Sequence, residues 1–154
     1  MATLQKIRSG HDFPYPPIPA KELLSGLSEN GRKNLNAIMQ STHFNADEQI
    51  FTEGDEPRNI YLLNRGRANF TREHRSHISS SDCPVTPDQL FGVTEVLAGQ
   101  NFENGLRTVT DCEIDVIDRD DFVAFLRSHP TVCYRLATVV SCLYQNAVTH
   151  IKTQ

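Results

Sequence analysis

Short apolar runs separated by turn residues fill the middle of the chain and narrow the choice of folds. Ile50-Phe51 and Ile60-Tyr-Leu-Leu63 are two such runs, and the turns around them carry Gly54 and Gly66. Glycine tolerates the positive φ of tight turns, and apolar runs of this length are typical of β-strands. The spacing predicts a mainly β fold, a β-roll or jelly roll, whose interior is the usual place for a ligand.

Helical patterns flank this β block on both sides. Residues 21–40 predict two helices with a break near Ser28, a residue suited to cap the second one. Ala68–His77 predicts a strand leading into a hairpin, and Ile78–Pro84 its exposed turn and return. Residues 118–127 predict a further helix, whose first turn contains Asp118, Asp120 and Asp121. A helix N-terminus explains these acids without a metal ion.

The last predicted helix, residues 131–151, has more apolar surface than one domain needs. Its apolar positions fall on two stripes, and a helix packed only on its own domain requires one. The first stripe has heptad-like spacing at positions 132, 136, 139 and 143. We therefore expect a homodimer that pairs through Thr131–Ile151. The alternative is a helix buried wholly in one core. The two stripes are Val132, Leu136, Val139, Leu143 and Ala147, and Cys133, Ala137, Val140, Tyr144, Val148 and Ile151.

The stretch from Thr86 to Thr110 is the predicted ligand seat, because it lies between two β-rich blocks. Gly92, Gly99 and Gly105 punctuate it. The run Val-Thr-Glu-Val-Leu after Gly92 is long enough for about one and a half helical turns. A short helix that begins at a glycine presents free N–H groups and a positive dipole end, which suits an anion.

Motifs on both sides of the seat resemble one known family. Residues 44–68 have the glycine-marked strand pair FNADEQIFTEGDEPRNIYLLNRGRA, Phe91-Gly92 opens the seat, and residues 110–122, TDCEIDVIDRDDF, match the last strands. Over most of its length the chain resembles the effector domain of the cyclic-nucleotide-binding superfamily, which includes the catabolite activator protein and FNR-type regulators. The resemblance implies a jelly-roll β-roll with N-terminal helices and a long C-terminal dimerisation helix.

The seat differs from that family's phosphate-binding cassette, in which Phe-Gly-Glu is followed by an Arg and a small hydroxyl residue. Val93 stands at the position of the family's Glu, Phe102 at that of the Arg, and Gly105 at that of the Ser or Thr. Glu95 lies two residues after the expected Glu position, and Arg107 lies five residues after the expected Arg position. An Arg that binds phosphate bidentately needs a fixed position. We therefore expect one of two states: an altered site for a small anionic or polar effector, or a cavity filled by apolar side chains of Phe102 and Val93.

An occupied seat would place its ligand against the helix N-terminus and the following strand. The candidate ligand-binding residues are Phe91, Gly92, Thr94, Glu95, Arg107 and Thr108. No cofactor is expected; a cyclic nucleotide is the ligand that the resemblance implies.

No spacing indicates a catalytic constellation, so we expect no enzyme. His74 and His77 are expected on different faces of a hairpin, which leaves no metal site. Since a haem-sensing relative ligates haem from this region, His77 or Cys83 as an axial ligand is the alternative.

Charge and composition exclude several classes of function. The 154 residues carry 15 basic and 19 acidic side chains, net −4, without a dense basic run, so this chain alone should not bind DNA. Neither a signal-peptide core nor 18 consecutive apolar residues is found, which predicts a cytoplasmic protein without a membrane segment. Four cysteines without a C-x-x-C pair predict reduced thiols, with Cys112, Cys133 and Cys142 in or beside packed surfaces.

The expected organisation is an extended proline-rich arm at residues 1–20, a β-roll domain with flanking helices at residues 21–130, and the dimerisation helix at residues 131–154. The function that follows is a ligand-sensing regulatory domain of a catabolite-activator/FNR-like transcription regulator. It binds a small effector or has lost nucleotide binding. The alternative is a stand-alone module of this fold that acts through a protein partner.

Overall fold

The computed structural model describes residues 17–74 and 77–152 and has the predicted mainly β architecture with flanking helices. The strands in the described part are β1 (Ile18–Pro19), β2 (Met39–Phe44), β3 (Gln49–Phe51), β4 (Asn59–Arg65), β5 (Ala68–His74), β6 (His77–Val85), β7 (Gln89–Phe91), β8 (Gly105–Thr108) and β9 (Cys112–Asp118). The helices there are α1 (Ala20–Leu24), α2 (Glu29–Ile38), α3 (Val93–Ala98), α4 (Arg119–Ser128) and α5 (Pro130–Lys152).

The strands pair antiparallel in two sheets, one in the order β1-β7-β4-β9-β2 and the other in the order β3-β8-β5-β6. Side chains alternate between the two faces of a strand, so each sheet turns one apolar face inward. Inward side chains of both sheets share one cluster, which we call the sheet core. Its buried members are Phe51, Leu63, Ala68, Phe70, Val85, Phe91, Phe102, Leu106, Cys112 and Ile114.

A second apolar cluster, which we call the helix core, joins the helices to the five-stranded sheet. It extends from β1 and α1 through α3 and α4 to the first turns of α5. Because each of these helices has an apolar stripe to bury, one side of the sheet is covered by helices. The buried members are Ile18, Ala20, Leu23, Leu35, Ile60, Leu90, Val93, Ile117, Phe122, Phe125, Leu126, Val132 and Leu136.

Two helices begin where the capping residues in the sequence predict. The Ser28 hydroxyl accepts a hydrogen bond from Gly31 N at 3.0 Å at the start of α2. Asp118 Oδ1 accepts from Asp120 N at 2.8 Å and from Asp121 N at 3.2 Å at the start of α4. The expectation that helix continues to residue 40 is wrong. The helix ends at Ile38, and the next residue begins β2 because it pairs with Ile117 of β9.

The apolar stripe of α5 that we expected at a partner packs instead on the chain's own domain. Val132 and Leu136 are buried in the helix core, and Val139 and Leu143 pack partly against it. The predicted position of the coiled-coil seam is therefore wrong. On the rest of the helix, Tyr134 is 76% exposed. The other exposed described side chains include Cys133, Ala137, Cys142 and Tyr144. Of the three cysteines expected near packed surfaces, only Cys112 is buried.

The hairpin of β5 and β6 differs from the expectation. Residues 77–85 form the return strand β6 rather than an exposed turn followed by a strand, and the register of β6 with β5 shifts between Asn69 and Thr71. The side chains of His74, His77 and Cys83 lie outside the described residues, and with them the expectation that the two histidines occupy different faces and the haem alternative.

The predicted proline-rich arm falls mostly outside the described residues, which begin at Pro17. Its last part belongs to the fold, since Ile18 of β1 pairs with Leu90 of β7. The start of α1 is fixed to the turn before β7, where Ala20 N donates to Asp88 O at 2.8 Å. Within the described part of the chain, no helix is both long and apolar enough to cross a membrane.

Candidate functional site

The turn between β7 and α3 depends on Gly92. Its φ is 91°, in the left-handed region that favours glycine, and a Cβ at this position would lie 2.8 Å from the carbonyl oxygen of Asn59. Gly92 O then accepts the first bond of the helix, from Val96 N at 3.0 Å. The chain thus reverses sharply at the end of β7 and places α3 against β4.

A cleft is lined by the end of β7, by α3 and by residues 102–104. The space inside it that a water-sized molecule can occupy is about 30 Å³, so in this state the cleft is narrow. Aromatic and aliphatic side chains dominate the lining, with a few polar groups among them. The described lining residues are Pro17, Ile18, Phe51, Phe70, Leu90, Phe91, Gly92, Thr94, Glu95, Phe102, Glu103 and Asn104.

Phe102 has a fixed place in the wall of the cleft. Its ring stacks on Phe51 with centroids 3.9 Å apart and planes inclined by 17°. Its backbone is held as well: Gly54 N donates to Phe102 O at 2.7 Å, and Phe102 N donates to Asp55 O at 3.0 Å. The position at which the sequence resemblance places the family's phosphate-binding Arg therefore carries a buried aromatic ring.

Glu95 lines the cleft with a half-buried side chain. Its Oε2 atom is enclosed by the protein and has no hydrogen-bond partner. Burial raises the pKa of Glu95 above its ordinary value and repulsion from Glu103 contributes, while hydrogen bonds from its own backbone and from Thr94 oppose the increase. A buried acceptor without a donor costs about 1–3 kcal/mol relative to a satisfied one.

Arg107 and Thr108 of β8 lie outside the cleft lining. Leu106 points into the sheet core, so Arg107 projects from the opposite face, where its Nε lies 3.0 Å from Asp47 Oδ1 without the alignment of a hydrogen bond. The Thr108 hydroxyl donates to Asn45 O at 2.6 Å and accepts from Glu48 N at 2.8 Å. Both side chains thus contact the segment between β2 and β3 instead of the seat.

Gly105, at the expected hydroxyl position, also lies outside the lining. The amide of Gln49 crosses over it, with Nε2 donating to Phe51 O and to Thr71 Oγ1, both at 2.9 Å. A Cβ on Gly105 would overlap the Gln49 amide and the Thr71 hydroxyl. A serine or threonine cannot be accommodated there unless these side chains move.

The structure brings together four of the six predicted ligand-binding residues. Phe91, Gly92, Thr94 and Glu95 line the cleft, whereas the two from β8 do not. Of the two side chains expected to fill the cavity, Phe102 lines it, while Val93 is buried in the helix core. The sequence reasoning missed seven lining residues: Pro17, Ile18, Phe51, Phe70, Leu90, Glu103 and Asn104. Glu103 and Asn104 directly follow Phe102 in the chain, and this adjacency could have identified them as lining residues.

The charges of the cleft oppose the anion that the helix N-terminus suggested. Its described lining includes Glu95 and Glu103 and has no Lys, Arg or His side chain. A phosphate placed there would face carboxylates and would lack a counter-charge. Among the described residues, no group of three or more His, Cys, Asp or Glu side chains could hold a metal ion.

Comparison with known proteins identifies the family. The family model for the cyclic nucleotide-binding domain matches residues 41–129, more than half of the chain. The matched segment runs from β2 to the end of α4 and contains the whole seat. The resemblance that the sequence motifs suggested is thereby confirmed.

Relatives that contain a similar segment differ in how much of their length it makes up. Lysophospholipase NTE1 of Saccharomyces cerevisiae is 24% identical over 151 residues, which cover 91% of this chain but only 9% of the relative. The cyclic AMP receptor protein of Thermus thermophilus is 27% identical over 92 residues, 60% of this chain and 43% of the relative. This chain therefore corresponds to one segment of each relative.

Solved structures show the same fold. The catabolite activator protein of Thermus thermophilus superposes with a TM-score of 0.74 at 22% sequence identity, over 86% of this chain and 62% of that one. The expected jelly-roll β-roll with flanking helices is thus confirmed. With its family model matched across the seat and its fold shared with a catabolite activator, this chain belongs to the family of cyclic nucleotide-binding domains.

Proposed function

We propose that the chain is a ligand-sensing regulatory domain, as in catabolite-activator-like regulators, and that it does not hold a cyclic nucleotide in the manner of its family. One observation carries the proposal. Phe102 stands where the phosphate-binding Arg is expected, stacked on Phe51 at 3.9 Å, in a cleft that Glu95 and Glu103 line. The described lining of this cleft offers no cationic side chain to neutralise a phosphodiester.

The free energy of burying an ion supports the proposal. An ion taken out of water without a partner costs several kcal/mol, and carboxylates nearby increase that cost. Arg107 does not supply the missing charge, since it projects from the other face of β8 toward Asp47. The proposed effector is therefore a molecule other than a cyclic nucleotide.

Calorimetric titration with cyclic AMP and cyclic GMP tests the proposal. We expect no binding of either nucleotide in the low-micromolar range. Phe102→Arg should raise the affinity for both, because it returns a guanidinium group to the cleft. Gln100→Arg is the matched control: it adds the same charge at an exposed position in the same segment and should change nothing. Low-micromolar binding by the unaltered chain would refute the proposal.

The proposed output of the domain is a movement of α5. Val93 of α3 and Leu136 of α5 belong to one continuous apolar cluster, so a shift of α3 on ligand binding changes the packing beneath α5. Arg135 of α5 also donates from Nη1 to the Ser25 hydroxyl at 2.7 Å, which ties the helix to the loop between α1 and α2. Pairing of two α5 helices in a homodimer would convert this shift into a signal.

A second candidate function is favoured by the lysophospholipase relatives. In them, a segment similar to this chain makes up 9% of a much longer protein. A module of this kind acts through a protein partner, without a DNA-reading segment. A helix-turn-helix encoded in frame after residue 154 would support the regulator, and a stable complex of the tagged chain with another protein, without such a segment, would support the module.

A further inference from the structure

We propose that the side chain of Phe102 closes the ligand seat from within, so that an effector enters only when this ring moves away. We call this ring the plug. The inference rests on the proposed function and deepens it, because it describes what controls entry to the same seat. Three observations carry it: the small space left in the cleft, the position of the ring beside the start of α3, and the bonds that hold the backbone of residue 102.

The cleft has too little free space for an organic effector. Its space of about 30 Å³ holds about two water molecules, since one water needs roughly 10–15 Å³ on this measure. Sites for drug-sized molecules enclose roughly 300 Å³ or more. Four buried rings, those of Phe51, Phe70, Phe91 and Phe102, belong to the lining. A ligand of that size therefore cannot enter until part of the lining moves.

The plug spans the cleft from β3 to the start of α3. One side of the Phe102 ring stacks on Phe51, with centroids 3.9 Å apart. At the other side, its Cζ atom lies 3.5 Å from the position of a Cβ built on Gly92, so the tip of the ring lies beside the turn that begins α3. Phe51 and Gly92 both belong to the cleft lining. The ring thus fills the space between two walls of the seat.

The backbone of residue 102 is fixed, so the side chain is the part that can move. Phe102 O accepts from Gly54 N at 2.7 Å, and Phe102 N donates to Asp55 O at 3.0 Å. Rotation of the side chain to another staggered rotamer breaks neither of these bonds. It does break the stack on Phe51, which makes the open state the less populated one.

This arrangement makes the plug an autoinhibitory contact. A ligand that binds only the open state has its apparent affinity reduced by the fraction of chains that are open. An open fraction of about a tenth or less lowers the affinity about tenfold or more. Removal of the ring should abolish this penalty and admit a molecule that the unaltered chain rejects.

Benzene is the probe for the space that the plug occupies, because it has the shape of the ring that Phe102→Ala removes. Cavities lined by apolar side chains stay dry and bind benzene. Titration of the isotope-labelled chain, followed by NMR at the amides of residues 92–95, reports binding at the seat. We expect Phe102→Ala to bind benzene at least about tenfold more tightly than the unaltered chain. A folded Phe102→Ala that shows no saturable shift, or equal binding by the unaltered chain, would overturn the inference.

Two further variants separate the plug from a general loosening of the domain. Phe44→Ala is the matched control, since it removes the same ring from a half-buried position beside the sheet core, outside the described lining. It should leave the amides of residues 92–95 unresponsive to benzene. Phe102→Leu keeps most of the apolar bulk and should behave like the unaltered chain. If Phe44→Ala responds as strongly as Phe102→Ala, loss of core packing admits the probe and the inference fails.

A smaller truncation covers the case in which Phe102→Ala does not fold. Phe102→Val removes less of the side chain, and xenon, which is smaller than benzene and also binds apolar cavities, is then the probe. We expect saturable xenon shifts at residues 92–95 in Phe102→Val and not in the unaltered chain, and their absence from the variant would contradict the plug. Low-micromolar binding of cyclic AMP to the unaltered chain would refute the proposed function, whereas failure of both truncated variants to bind their probes would refute the plug alone.

Discussion

At Gly92, one residue sets the direction in which the chain leaves β7. A side chain there would be strained twice, by the φ of 91° and by the Asn59 carbonyl oxygen, which a Cβ would approach to 2.8 Å. Gly99 provides a natural comparison, since its φ is 65° but nothing lies within 4 Å of a built Cβ. A comparison of substitutions at the two glycines thus separates the cost of the left-handed backbone from the cost of the close contact.

Alanine at both positions measures the difference in free energy of unfolding. Gly99→Ala should lower it by about 1–2 kcal/mol, the cost of a left-handed backbone for a residue with a Cβ. Gly92→Ala should lower the free energy of unfolding by about 1–3 kcal/mol more than Gly99→Ala does, because the neighbouring carbonyl must also move. Urea unfolding monitored by circular dichroism measures both values. Equal losses would show that the approach to Asn59 carries no cost.

Single residues also show how far the sequence could predict the site. Phe91, Gly92, Thr94 and Glu95 were predicted because a helix that begins at a glycine is a local pattern. Arg107 was misplaced because its direction depends on the register of β8, where Leu106 faces inward. The stacking of Phe51 on Phe102 joins residues far apart in the chain, and local spacing carries no information about such a contact.

Among the helices, α4 depends most directly on its cap. Asp118 Oδ1 accepts from two backbone N–H groups at the start of the helix, at 2.8 and 3.2 Å. The helix then buries Phe122, Phe125 and Leu126 in the helix core. Loss of the cap should therefore weaken the packing between α4 and the five-stranded sheet.

Asp118→Ala should lower the free energy of unfolding by about 0.5–2 kcal/mol, because it leaves those N–H groups without an acceptor. Asp118→Asn keeps an acceptor of the same shape and should retain most of the stability. Thermal and urea unfolding of the two variants measure the difference. If both substitutions cost the same, the charge and not the cap bonds would be responsible.

Element boundaries followed the sequence where caps and turn glycines mark them, as at Ser28 and Asp118. They departed from it where tertiary pairing decides, as at the β2 start, which follows pairing with β9. For α5 the two apolar stripes were recognised, but which stripe the domain uses depends on how α1 and α4 pack beneath it. That choice is made by the assembled fold, which packs Val139 and Leu143 of one stripe and Val140 of the other against the helix core, and the homodimer through Thr131–Ile151 stays a prediction.

For the molecule as a whole, the exposed side of α5 is the surface that we expect to meet a second copy. Tyr134 is 76% exposed and Tyr144 is 49% exposed, which is unusual for large rings on one helix. Ala137 lies between them in sequence and is also exposed. A dimer along this side would cover surface that the domain core leaves open.

Sedimentation velocity tests the dimer. The unaltered chain should sediment as a dimer at micromolar concentration, and Ala137→Glu should weaken association about tenfold or more, because an unpaired charge in an interface costs over about 1.4 kcal/mol. Ala37→Glu makes the same substitution at an exposed position of α2 and should leave the dimer intact. A monomer at high micromolar concentration would contradict the expectation.

The Gln49 amide that spans β8 limits what residue 105 can become. Since its bonds to Thr71 and Phe51 use the space above Gly105, a serine introduced there would collide with the amide unless Gln49 were also shortened. A variant that is to carry a hydroxyl at this position therefore needs two coordinated substitutions, at residues 49 and 105.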